Sequence, residues 1–139
     1  MTMSLEDIKK RFVQEIKLRA YDDRFIDLEE ERDILQMAVK EGLTIDFALR
    51  ALQQVCEAND YVIERLLDEK AKEMLEQFAA DGEVDKKEFY DTVAVIARSA
   101  KGRMTKNAIV QKVKGIMEDN GMIARQGLFK GGKWYDEIA

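Results

Sequence analysis

A chain of 139 residues with 46% hydrophobic and 37% charged side chains, and a formal net charge of −5, is long enough to bury one core and too short for two independent ones. It is therefore expected to form a single domain, 1–139. Histidine is absent and Cys56 is the only cysteine, which excludes an internal disulfide and zinc sites of the usual kind and removes the commonest general base. Serine occurs only at Ser4 and Ser99, so any catalysis would run on carboxylates, lysine, tyrosine or a bound cation, and no enzyme activity is expected. The segment MTMSLEDIKKRF lacks the apolar core of a signal peptide, and the longest apolar run, Val93 to Ala97, is too short to cross a bilayer. A cytoplasmic protein without a transmembrane segment is the corresponding expectation.

Apolar spacing predicts helix almost throughout, helped by the lack of proline and an excess of good helix formers. Leu5, Ile8, Phe12 and Ile16 line a first helix behind Ser4 as N-cap. Ile34, Met37 and Ala38 mark a second, ending near Gly42. Thr44 caps a third, with Ala48, Leu52, Val55 and Cys56 on one side. A fourth carries Ile63, Leu67, Met74 and Phe78, and a fifth, with Val93 and Ile96, stops before Gly102. Thr105 caps a sixth, whose inward face is Ile109, Val113, Ile116 and Met117. The fold class is all-α: a bundle of about six to seven helices, with a short irregular or hairpin C-terminal segment.

The pattern repeats. An offset of 58 residues places Asp23, Asp27, Glu30 and Asp33 on Asp81, Asp85, Glu88 and Asp91, and Ile26 on Val84. After a short insertion the offset becomes 61, and Thr44, Glu57 and Asn59 meet Thr105, Glu118 and Asn120. Two tandem three-helix repeats, about 4–62 and 63–124, explain this order of caps, loops and apolar faces. Residues 125–139 follow as a C-terminal plug. Its segment GLFKGGKWY lets Lys130-Gly131-Gly132-Lys133 turn a hairpin that returns Phe129 and Trp134 to the bundle; a glycine-broken helical turn is the alternative.

Both repeats hold an acidic loop. With Gly82 at position 6 of a calcium-binding EF-hand loop, Asp81, Asp85 and Glu88 take ligand positions 5, 9 and 12, but Gln77 and Ala79 fall at 1 and 3. In the first copy Asp23, Asp27 and Glu30 fit, and Arg19 and Tyr21 do not. Neither loop should bind calcium in that manner. Asp27-Leu-Glu-Glu30 and Asp85-Lys-Lys-Glu88 instead read as capping boxes at helix starts. A functional alternative has Asp22, Asp23, Asp27 and Glu30 converging with Asp81, Glu83, Asp85 and Glu88 on one divalent cation, Ca²⁺ or Mg²⁺.

The run ADGEVDKKE, residues 80–88, resembles the A-D-G-x-[IV]-x-x-x-E motif of TerB-like domains, a family that includes a tellurite-resistance protein and the cytoplasmic domain of membrane-anchored DnaJ-like proteins. The resemblance implies an all-helical fold of duplicated helix–loop–helix units, an acidic loop proposed to hold a metal ion, and a stress-related adaptor role. It covers about residues 16–124 in organisation and 78–89 in motif. The first copy has Arg24 where the motif has glycine, and GLFKGGKWY matches nothing in the family.

Three functions compete. The first is a non-enzymatic interaction or adaptor domain whose acidic loops meet a protein partner with a basic surface; a homodimer is compatible with it. The second is a cation-binding module built on the paired loops. The third is nucleic-acid binding through the C-terminal third, since residues 98–139 carry nine Lys and Arg against four Asp and Glu. Nucleic acid is not the expected partner, because the whole chain is acidic, with a pI near 5.0.

Overall fold

The structure is a computed structural model and describes residues 3–127 and 132–139. Among them are six α-helices and four two-residue strands, an all-α fold. In chain order these are α1 (Leu5–Ala20), β1 (Phe25–Ile26), α2 (Leu28–Lys40), α3 (Ile45–Asn59), β2 (Val62–Ile63), α4 (Glu64–Phe78), β3 (Glu83–Val84), α5 (Lys86–Ala100), α6 (Lys106–Asp119) and β4 (Ile123–Ala124). The chain divides into two units, Met1–Arg65 and Leu66–Ala139. No helix among the described residues is long and apolar enough to cross a membrane.

In the first unit, α1, α2 and α3 each start where a side chain satisfies an orphan N–H of the first turn. Ser4 accepts from Asp7 N at 3.2 Å, and Thr44 accepts from Phe47 N at 3.1 Å. Between them, Asp27 and Glu30 form a reciprocal capping box at the head of α2. The buried side chains include Phe12, Ile16, Ile26, Ile34, Ala38, Leu52 and Cys56. β1 and β2 pair in parallel, Phe25 with Val62 and Ile26 with Ile63. The pairing continues a bond from Val62 N to Arg24 O at 2.9 Å, so the end of α3 is tied back to the loop after α1.

The second unit repeats these devices with the same residue types. Thr105 caps α6 through Ala108 N at 3.1 Å, and Asp85 with Glu88 forms the capping box of α5. β3 and β4 pair in parallel, Glu83 with Ile123 and Val84 with Ala124. Leu75, Val84, Phe89, Ile96, Ile109, Val113 and Met117 are buried. Even a helix-end detail recurs: Asn59 Nδ2 donates to Val55 O at 2.8 Å, and Asn120 Nδ2 donates to Ile116 O at 2.7 Å.

The C-terminal segment packs on this second unit. Trp134 is buried, with its ring centroid 5.2 Å from that of Phe89, and its indole N–H donates to Arg125 O at 3.0 Å. Gly127 N donates to Gly132 O at 3.0 Å, closing the segment on itself. Phe129, Lys130 and Gly131 of the expected hairpin lie outside the described residues.

Several apolar positions differ from the sequence reading. Ile63 is buried, but it belongs to β2 rather than to the fourth helix. Ala71 and Leu75 are the fully buried residues of α4, whereas Met74 and Phe78 are only half-buried. Leu5 is 54% exposed, whereas Phe12 and Ile16 of the same stripe are buried.

Candidate functional site

The acidic loop of the first unit begins where α1 ends. Arg24 N donates to Ala20 O at 2.9 Å, and the backbone turns through Arg24 at φ 56°. Asp23 Oδ1 accepts from Phe25 N at 3.2 Å, the side chain closing the turn as a backbone carbonyl would. Asp27 Oδ1 accepts from Glu30 N at 2.7 Å, and Glu30 Oε1 accepts from Asp27 N at 3.2 Å. Burial pushes the Glu30 carboxyl above its ordinary range; the charges of Asp27 and Asp23 add to this, and the Asp27 N–H bond opposes it. Asp22 stays exposed in the turn.

In the second unit the same positions do the same work. Gly82 has φ 85°, Asp81 Oδ1 accepts from Glu83 N at 3.0 Å, and Asp85 and Glu88 exchange bonds at 2.8 and 2.9 Å. Arg125 Nε donates to Glu83 Oε2 at 3.0 Å, and a terminal nitrogen donates to Asp81 Oδ2 at 2.8 Å. The Glu83 backbone N–H, followed by the Arg125 guanidinium, holds the Asp81 carboxyl below the usual carboxylate range. All three side chains are about half-exposed, so this network is screened and positions the loop more than it stabilises the unit.

The carboxylates singled out in the sequence thus sit where they were expected along the chain, and most work locally. Asp27, Glu30, Asp85 and Glu88 cap helices, Asp23 and Asp81 close turns, and Asp81 and Glu83 hold Arg125. Among the described residues, no group of three or more Cys, Asp or Glu side chains is placed to hold a metal ion. Arg19, at the failed first ligand position of the first loop, bonds to Glu15 at 3.0 Å and approaches Asp33 at 3.7 Å.

Cations of the C-terminal third are also engaged within the second unit. Lys112 pairs with Asp68 at 2.8 Å, and Lys114 donates to the carbonyls of Tyr135 and Ile138 at 3.2 and 2.9 Å. Lys112 and Arg125 are thus paired with carboxylates, and the Lys114 ammonium is directed at backbone carbonyls.

The surface that sequence reasoning missed lies in the first unit. A groove of about 850 Å³ runs along α2 to the start of α3, with Leu28, Leu35, Val39 and Ile45 among its lining residues. Leu28, Val39 and Ile45 are 48%, 49% and 55% exposed, which is unusual for three large aliphatic side chains bordering one depression. Its floor is anchored by Glu31, only 5% exposed, which accepts from Arg65 Nε at 2.9 and 3.1 Å. Glu29, Arg32 and Lys40 stand exposed on α2 without an ion pair among the described residues. The available signal was the spacing of Leu28, Leu35 and Val39, a second apolar stripe beside the core stripe of Ile34 and Ala38.

Cys56 lies inside the first unit, where burial, with Glu31 and Glu57 nearby, pushes its thiol up to about 12. The thiol is therefore held protonated, and the thiolate form that attack or metal binding uses is disfavoured. No protein-family model, curated protein or solved structure matches the chain.

Proposed function

We propose that this protein is a non-enzymatic helical interaction module, an adaptor of TerB-like type, and that its working surface is the α2 groove rather than the acidic loops. The observation that carries this reading is the exposed aliphatic lining of the groove, Leu28, Val39 and Ile45. Each is already about half-buried, so covering it would contribute roughly 0.7–1.5 kcal/mol, and a protein surface that covers all three gains a real driving force. The acidic loops support the same division of labour: their carboxylates already serve caps, turns and Arg125. The likeness to TerB-like domains rests on Asp81, Gly82, Val84 and Glu88, each with a folding role in the second unit.

A photo-crosslinking residue placed at Val39 tests the proposal in cells that express the full chain. A discrete protein adduct is expected, and it should disappear when Leu28→Asp and Ile45→Asp are added. Absence of any protein adduct at Val39, with a control position on α1 equally silent, overturns the reading.

A further inference from the structure

We propose that the exposed stripe of α2 pairs with the same stripe on a second copy of this chain, the two α2 helices running antiparallel about a twofold axis near Leu35. The proposal rests on reading the groove as an interaction surface, and it names the occupant.

Geometry comes first. The core face of α2 is set by Glu31, Ile34 and Ala38, all buried. Leu28, Arg32, Leu35 and Val39 follow one another at intervals of four, three and four, which aligns them on a face about 100° around the helix from the core. This is the spacing of a helix-pairing seam. At 13 residues α2 is about 20 Å long, enough for three turns of contact.

Charge then selects the partner. Glu29 and Lys40 are eleven residues apart, so they lie on the same flank of the stripe at opposite ends of the helix. Both are exposed and neither has an ion pair among the described residues. In an antiparallel pair, same-flank positions face each other: Glu29 of one copy meets Lys40 of the other, and the twofold makes the contact twice. In a parallel pair the same flanks lie on opposite sides of the seam, so Glu29 and Lys40 would find no partner in each other. A uniformly basic partner helix would suit Glu29 but meet Arg32 and Lys40; a uniformly acidic one would fail at Glu29. The antiparallel arrangement also opposes the two helix dipoles. Self-pairing matches the charges at both ends of this flank with one set of residues.

Such an interface is small, so a dissociation constant of about 10–100 μM is expected. Sedimentation of the full chain from about 1 to 500 μM tests it. A monomer–dimer equilibrium is the expected result, abolished by Val39→Asp with an unchanged circular dichroism spectrum. Lys40→Glu and Glu29→Lys should each weaken the dimer about tenfold by placing like charges together. The double variant should return to within about threefold of the parent. A 16.0 kDa monomer throughout that range overturns the inference, and so does a dimer that the charge exchange fails to restore. A crosslink from Val39 to a different protein, from a chain that stays monomeric, overturns self-pairing and leaves the interaction reading standing; no crosslink at all removes both.

Discussion

Arg24 and Gly82 occupy the same place in the two acidic loops, 58 residues apart, and both hold a left-handed backbone, φ 56° and φ 85°. In each loop this residue's carbonyl accepts the first bond from the returning chain, Val62 N at 2.9 Å or Ile123 N at 3.0 Å. The conformation is therefore required by the parallel bridge, and the side chain is incidental. A Cβ at Gly82 would meet nothing within 4 Å, so its substitution has only a backbone cost. Gly82→Ala is expected to lower stability by about 1 kcal/mol, read by urea denaturation. Arg24→Gly relieves a similar strain but frees the unfolded chain, so it should gain no more than about 0.5 kcal/mol. A neutral Gly82→Ala would mean that the loop has a second conformation open to it.

Glu30 gives the first unit a pH signature. Its folded-state carboxyl is raised above the ordinary 4.5, chiefly by burial, so the folded chain holds this proton longer than the unfolded chain does. The stability it contributes is present below 4.5 and is lost as pH rises through the raised value. Glu30→Gln keeps an acceptor for Asp27 N and cannot titrate. Relative to the parent, the variant should gain stability between about pH 4 and pH 7. Denaturation at both pH values checks this, and a gain in the opposite direction refutes it.

The Glu31–Arg65 pair should behave as a buried ion pair. Arg65→Ala would leave a carboxylate that is 5% exposed without its guanidinium, at an expected cost of about 3 kcal/mol. Replacing both residues by leucine removes the uncompensated charge along with the bond, so the double variant should cost less than the single one. A denaturant midpoint for each protein decides it.

Trp134 should anchor the C-terminal segment. It lies against Phe89 at 5.2 Å and Tyr90 at 6.3 Å, and its N–H is satisfied by Arg125 O. Trp134→Ala is expected to cost about 3–5 kcal/mol. Trp134→Phe keeps most of the apolar contact and should cost less than half as much. Thermal unfolding of the two variants ranks them.

What the sequence by itself determined is the set of interactions that span three or four residues. The caps at Ser4, Thr44 and Thr105 and the boxes at Asp27–Glu30 and Asp85–Glu88 depend only on local backbone, so composition and spacing were enough to place them. The two offsets were legible for the same reason, because the matching residues cap and turn alike. Tertiary structure alone decided the parallel bridges, which join strands 37 to 40 residues apart, and the grip of Arg125 on residues 42 and 44 positions earlier. It also decided which of two neighbouring stripes on α2 and α4 is buried. A 3.6-residue period marks an apolar face but does not say what covers it, and Leu75 over Phe78, or Ile34 over Leu35, is settled only when other helices pack.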